Sequence, residues 1–270
     1  MYAFIQHRPT TVRQAAGLLA KQPEAKLLAG GHTLIPTMKL RLAGPKHLVD
    51  LSKVVGLSGI EMRGRSLVVG AMTPHMEVAT SAVVKENIPA LAELAGKIGD
   101  PAVRHRGTIG GSLANNDPNA DYPAGALGLG ATIITNKRRI AADDFFKGLF
   151  ETALEADEII TKVQFPKVNK AGYVKFPNPA SRYALVGVFV SKRGSEIRVA
   201  VTGAGANGVF RVPAFEEALK KRFAPKSLEG MTIPVDGMAS DIHGSAEYRA
   251  HLVGVLARRA VAEAIGKPTA

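Results

Sequence analysis

Two short stretches of this chain carry the residue types that could hold an anionic ligand. The first is AGGHT, Ala29 to Thr33, and the second is TIGGS, Thr108 to Ser112. Each sets a Gly-Gly pair and a hydroxyl residue behind an apolar run. Glycine lets a backbone approach a ligand without a Cβ in the way. Consecutive N–H groups in a tight turn form a concavity for anions, and a following helix N-terminus adds partial positive charge. Thr33, Thr108 and Ser112 add hydroxyl donors, and Asp121 offers an acceptor for a ribose or ribitol hydroxyl. Together the loops would suit the pyrophosphate of a dinucleotide cofactor. Gly-Gly pairs also serve as plain turns, and that alternative stays open on these residues alone.

Other chemistries find little support. No G-x-G-x-x-G follows the first strand, and no G-x-x-x-x-G-K-[ST] occurs. Gly203 to Gly208 matches the first pattern, but the segment after it is a poor helix, so a turn or bulge is expected. His75, His105 and His243 show no metal-ligand spacing and receive no role. His32 could bond a phosphate or cover a ring. NNDPNAD, Asn115 to Asp121, lacks the glycine and glutamate of a calcium loop. Asp121 could equally cap the helix after it. No nucleophile–base arrangement stands out, so no catalytic side chain is assigned.

Elements must position these loops. TVRQAAGLLAKQ has helical spacing with Thr10 or Thr11 as cap. AKLLAGG reads as a strand stopped by glycine, TLIPTMKLRLAG as a short helix ended by glycine, and HLVDL as a second strand. That order suggests a small parallel α/β layer. GIEMRGRSLVVGAMT reads as a hairpin and PHMEVATSAVVKEN and PALAELAGKIGD as helices. AVRHRGTIGGSLANN has strand-turn character. PAGALGLGATIIT suggests a helix of small residues and then a strand, and EIITKVQFP a strand ending at Pro166. KVNKAGYVKFPNPASRY shows little periodicity and marks a boundary. The final part suggests a hairpin around KRGS, then two helices. The expected units are 1–57, 58–168 and 174–270.

With 270 residues and 46% hydrophobic content, the chain is expected to form several packed units. No run is long and apolar enough for a membrane span, and MYAFIQHRPT lacks a signal-peptide core, so a cytoplasmic protein is expected. There is no cysteine. Disulfides, thiolate metal sites and all-cysteine iron–sulfur clusters are therefore excluded, and redox chemistry requires an organic cofactor or another chain. The net charge of +12 suggests nucleic acid. Its basic clusters at 104–106, 137–139 and 220–222 are short and lack a recognition motif, which favours solvated surface.

AGGHTLIPTMKLRL and TIGGSLANNDPNADYPA resemble the signature loops of the FAD-binding medium subunit of molybdenum hydroxylases, the carbon monoxide dehydrogenase and xanthine dehydrogenase family. FIQHRPTTVRQAAGLLA and KFPNPASRYALVGVFV resemble the opening and the linker of the same subunits. The resemblance implies an α+β fold. A two-part FAD-binding domain of the vanillyl-alcohol-oxidase (PCMH) type would precede a C-terminal α/β domain of the CO dehydrogenase flavoprotein type. It implies FAD contact by Ala29, Gly30, Gly31, His32 and Thr33, lined by Leu27, Leu28 and Leu34, and by Thr108, Ile109, Gly110, Gly111 and Ser112. Asp121 would lie near the ribityl chain, Ile160 against the flavin or adenine, Lys175 near the isoalloxazine edge and Tyr183 near the ring. Pro177 departs from a basic residue common in relatives, which affects the linker around Lys175.

The implied role is an oxidoreductase electron-transfer subunit. Electrons would arrive from two 2Fe-2S clusters on a small iron–sulfur partner, fed by a molybdenum–pterin cofactor on a large partner. They would leave to an external acceptor. The assembly would be a dimer of heterotrimers, a heterohexamer. A stand-alone flavin oxidoreductase and a basic nucleic-acid-binding protein are the alternatives.

Overall fold

The computed structural model describes residues 1–267. The chain begins with β1 (Ile5–His7), α1 (Val12–Lys21), β2 (Ala25–Leu28), α2 (Leu34–Lys39) and β3 (His47–Asp50). These strands form a parallel sheet in the order β1-β3-β2, as the expected α/β layer requires. Thr11 caps α1 through a reciprocal box with Gln14. Strand β1 was not expected, since three mostly exposed edge residues carry no alternation. The end of α2 differs from expectation as well. It stops at Lys39, and the left-handed turn after it is taken by Arg41 (φ +60°) and not by glycine.

The middle of the chain supplies β4 (Ile60–Arg63), β5 (Ser66–Gly70), α3 (His75–Thr80), α4 (Ala82–Asn87), α5 (Pro89–Gly96), α6 (Pro101–Arg106), α7 (Ile109–Asn115), α8 (Asp121–Leu129), β6 (Thr132–Thr135), β7 (Arg139–Ala141), α9 (Ala142–Phe145), β8 (Phe146–Gly148), β9 (Glu151–Thr152) and β10 (Ile160–Pro166). Five of these strands make an antiparallel sheet, β4-β5-β10-β6-β7. The strand-turn reading of AVRHRGTIGGSLANN is corrected here: the segment forms α6 and α7. Asp100 caps α6 with Pro101 at its first position, and Thr108 caps α7. These caps outweigh the poor helix propensity of the glycines.

The last part holds β11 (Lys170–Pro177), β12 (Ala184–Arg193), β13 (Glu196–Thr202), β14 (Phe210–Arg211), α10 (Pro213–Lys221) and α11 (Ala246–Ala264). The segment read as an aperiodic boundary is therefore largely strand β11, in an antiparallel sheet β11-β12-β13-β14. Its pattern is obscured because residues on both of its faces find cover. Tyr173 joins the core of the middle region, while Val174 packs on the cluster under α11.

Helix α8 is wholly buried. It is built of small residues and sits between α5 and the third sheet, with Leu94 and Phe189 against its glycines. This helix packs the middle core against β12 and β13 through Phe189 and Ala200, and no helix among the described residues is long and apolar enough to cross a membrane. Truncating Leu94, fully buried at this junction, opens a cavity. Leu94→Ala is expected to destabilise the chain by about 2–5 kcal/mol. Leu42→Ala, at a 77% exposed position, should stay within about 0.5 kcal/mol. Urea midpoints of the two variants check this, and equal midpoints would contradict the packing described.

Candidate functional site

Both Gly-Gly loops lie at the edges of one cleft of about 610 Å³. That is the size of an organic cofactor site. The first loop leaves the C-terminal end of β2, and the second runs into α7. They touch directly. A Cβ at Gly30 would fall 2.1 Å from the carbonyl oxygen of Arg106 and 2.8 Å from Cα of Gly107. Gly111 in turn approaches the methyl of Ala29. Only a residue without a side chain permits this backbone-on-backbone contact.

The loops differ in what they offer a ligand. In the second, the N–H groups are committed. Ile109 donates to the Thr73 carbonyl (3.2 Å), Gly110 to that of Ala71 (2.8 Å), and Gly111 to the Thr108 hydroxyl (3.1 Å). The expected anion concavity is thus absent there. The turn spends its amides on fastening α7 to the end of β5, and what faces the cleft is the Ser112 region and the Thr108 hydroxyl. In the first loop, none of the N–H groups of Gly30, Gly31, His32, Thr33 and Leu34 donates to a group among the described residues. Backbone donors left dry would cost about 1–3 kcal/mol each. This run of free donors at the cleft therefore fits an anionic partner, and the residues present suit the pyrophosphate of a dinucleotide.

The far walls are apolar and acidic. Leu154, Ile159 and Ile160 line one end. Beside them Glu158 is buried and accepts from Arg138 (2.9 Å), the Thr135 hydroxyl (2.7 Å) and the Glu155 N–H (3.0 Å). The Arg138 contact, more than the others, holds its carboxyl down to about 2. Lys137 pairs with Glu155 and Asp157, and Lys220 with Glu217. Two of the basic clusters are thus partly neutralised.

Asp121 lines the cleft but does not cap α8. The cap position is Ala120, and Asp121 is the first helical residue. Its carboxylate accepts from the Tyr173 hydroxyl (2.5 Å) and from Nζ of Lys175 (3.0 Å). Lys175 also donates to the Lys97 carbonyl (2.9 Å). Burial, reinforced by the charge of Asp121, keeps Tyr173 a neutral phenol. Lys175 therefore stands behind the wall, bracing Asp121 from β11. Leu28 and Ile109 also stand outside the lining: Leu28 packs beneath Gly31, and Ile109 belongs to the middle core. The other residues named from the sequence, Leu27, Ala29, Gly30, Gly31, His32, Thr33, Leu34, Thr108, Gly110, Gly111, Ser112, Asp121, Ile160 and Tyr183, all border the cleft.

Sequence reasoning passed over His75. It is 4% exposed, borders the cleft, and its ring abuts Gly107. Its Nδ1 has no partner among the described residues. Burial, then the positive charges of His32 and Arg104, push it down to about 4. The signal in the sequence is slight: a histidine directly after Pro74, at the start of a helix.

Two outcomes follow. Lys175→Met alone leaves the buried Asp121 carboxyl without its cation, and should cost about 3–5 kcal/mol. Adding Asp121→Asn should recover much of that loss in urea unfolding, whereas strictly additive losses would refute the pairing. His75 has a folded value below its ordinary one. Above about pH 6.5 both states are neutral and the group has no effect. Between about 6.5 and 4 the unfolded chain takes up a proton that the folded chain refuses, so stability falls with pH. His75→Leu should remove that part of the slope in a pH series of melting curves.

Comparison with known proteins agrees with this geometry. Residues 2–168 match the family model described as FAD binding domain in molybdopterin dehydrogenase. The chain is 35% identical to the carbon monoxide dehydrogenase medium chain of Hydrogenophaga pseudoflava, over 96% of each chain. It is 37% identical to the nicotine 6-hydroxylase medium subunit of Paenarthrobacter nicotinovorans, over 95% of each. Its fold is similar to a chain of reconstituted CO dehydrogenase from Oligotropha carboxidovorans, with a TM-score of 0.88 and 34% identity, covering 99% of this chain and 100% of that one.

Proposed function

The chain belongs to the FAD-binding medium subunits of the molybdenum hydroxylases, and on that premise we propose that it carries electrons from iron–sulfur clusters of a small partner subunit to an external acceptor. It is an FAD-binding oxidoreductase subunit. The observation that carries the reading is the run of uncommitted N–H groups from Gly30 to Leu34 at a cleft of about 610 Å³. FAD supplies two-electron redox chemistry, which no side chain of this cysteine-free chain provides.

The residues hold the cofactor and exclude water. The first loop binds the pyrophosphate, with the hydroxyls of Thr33, Thr108 and Ser112 as further donors. His32 lies exposed on that loop, within reach of the same phosphates. Leu27, Leu34 and Ile160 supply apolar contacts. Asp121, fixed by Tyr173 and Lys175, presents a rigid acceptor to a hydroxyl of the cofactor. Tyr183 stands 45% exposed at the mouth, where it can cover a ring. No proton transfer by a side chain is required. The units we propose are 1–57 and 58–168 for the cofactor and 174–270 for the C-terminal domain.

A large molybdenum–pterin subunit and a small iron–sulfur subunit are the proposed partners, in a dimer of heterotrimers. An exposed apolar group supports a protein interface. Tyr2, Ile5, Leu40 and Leu42 stand out from the first unit, and Arg41 sits 5.8 Å over the Tyr2 ring. Helix α2 joins this group to the cleft, since its own Leu34 and Thr37 are cleft residues. At six residues it spans about 9 Å.

The test is purification from the native source, then acid release of the cofactor and chromatography against FAD and FMN. One FAD per chain and two copurifying partners are expected. Gly30→Val should abolish cofactor retention, while Leu42→Asp should weaken partner capture and leave FAD content intact. Isolation of this chain alone with full substrate turnover would sink the reading.

A further inference from the structure

His75 opens α3, is 4% exposed and borders the cofactor cleft, yet its Nδ1 bonds to nothing among the described residues. We propose that His75 is a positioning residue for the cofactor. Its ring holds Gly107, and through Gly107 it holds the donor loop from Gly30 to Leu34 at the height where that loop meets the pyrophosphate. The proposal rests on the reading above, which puts the pyrophosphate on the first loop, and adds a residue to it.

Two neighbours press on Gly107. The first is the backbone of Gly30, whose Cβ, were there one, would fall 2.8 Å from Cα of Gly107. The second is the imidazole. A Cβ at Gly107 would fall 2.5 Å from Nε2 and 2.8 Å from Cδ2 of His75, well inside van der Waals contact. The Cδ2–Nε2 edge of the ring thus faces Gly107, and the unpartnered Nδ1 lies on the edge away from it. The backbone of α3 fastens the same turn: the His75 N–H donates to the Gly107 carbonyl (2.9 Å), and Pro74 bridges to Thr108. Gly107 has φ −59° and ψ 139°, dihedrals that any residue adopts. Backbone strain therefore does not call for glycine here. The space taken by the His75 ring does.

The surroundings of the ring give stability no reason to keep an imidazole. The Tyr122 ring lies 5.2 Å away between centroids, tilted by 52°, and its own hydroxyl is also without a partner among the described residues. A buried nitrogen without a partner costs stability, and native proteins keep few of them. A leucine would fill similar space without that cost. What leucine lacks is the flat edge. Its branched methyl groups are thicker than a planar ring and would push Gly107 against Gly30. Burial also keeps the imidazole neutral at ordinary pH, so it adds no cation of its own to the cleft. Its effect on the cofactor passes through Gly107.

The experiment titrates the full chain, freed of flavin, with FAD and follows the flavin fluorescence. Urea midpoints are measured on the same samples without FAD. Gly107→Ala drives a methyl group into the ring and should weaken FAD binding about tenfold. His75→Leu should weaken it several-fold while the urea midpoint holds or rises, a divergence that a merely structural residue would not give. His75→Ala should also weaken binding several-fold. Combined with Gly107→Ala it gives the new methyl group room, so the double variant should bind FAD more tightly than Gly107→Ala alone. Affinity that the His75 substitutions leave unchanged, or that falls only in step with the urea midpoint, overturns the proposal. So does a double variant weaker than Gly107→Ala. Equal FAD affinity of the unaltered chain and Gly30→Val would instead overturn the placement of the pyrophosphate on the first loop.

Discussion

Everything in the cofactor cleft depends on one close contact, the backbone of Gly30 lying on the backbone of Arg106 and Gly107. It brings together the loop after β2 and the turn between α6 and α7. Any side chain at Gly30 would need space already held by a carbonyl, and a backbone carbonyl cannot rotate away as a side-chain tip can. The second loop is stiff because its own amides are spent on Ala71, Thr73 and Thr108. One loop is fastened so that the other can remain open to a ligand.

The charges around the cleft follow a related logic. Asp121 and Glu158 are carboxylates on its buried walls, and each has a specific cation and a hydroxyl donor: Lys175 and Tyr173 for one, Arg138 and Thr135 for the other. Unpaired, such groups would protonate or draw in water. Paired, they are fixed acceptors and fixed shapes. Two of these partners, Tyr173 and Lys175, come from β11. The C-terminal sheet therefore does more than cover the middle region, because it sets the orientation of an acidic residue in the cofactor cleft. Arg249 plays a corresponding part in the last region of the chain, tying β12, β13 and the loop before α11.

The chain's positive surplus reads differently once the partners are visible. Lys137, Arg138 and Lys220 sit in ion pairs, and Arg104 spends its guanidinium on the carbonyls of Ile98 and Gly99 near the cleft. Part of the charge that suggested a nucleic-acid surface therefore serves local structure.

Local pattern determined a good deal by itself. The capped helix from Thr11, the strand stopped at Gly30, the hairpins around Gly64 and Gly194, and the long final helix were legible because each depends on neighbours within a few residues. The two Gly-Gly motifs, read with their resemblance, led to the cofactor and to the part of the cleft lining that the two loops form. Tertiary structure decided the rest. The helical state of the second loop came from caps and from its fastening to β5. Lys175 and Asp121 are 54 residues apart, and nothing local announces that they meet. His75 entered the site only because α3 packs under the second loop. Caps, turns and periodicity act over one or two turns of chain and can be read in order. Ion pairs, burial and close backbone contacts depend on which distant segments the core brings together, and a single sequence does not display that pairing.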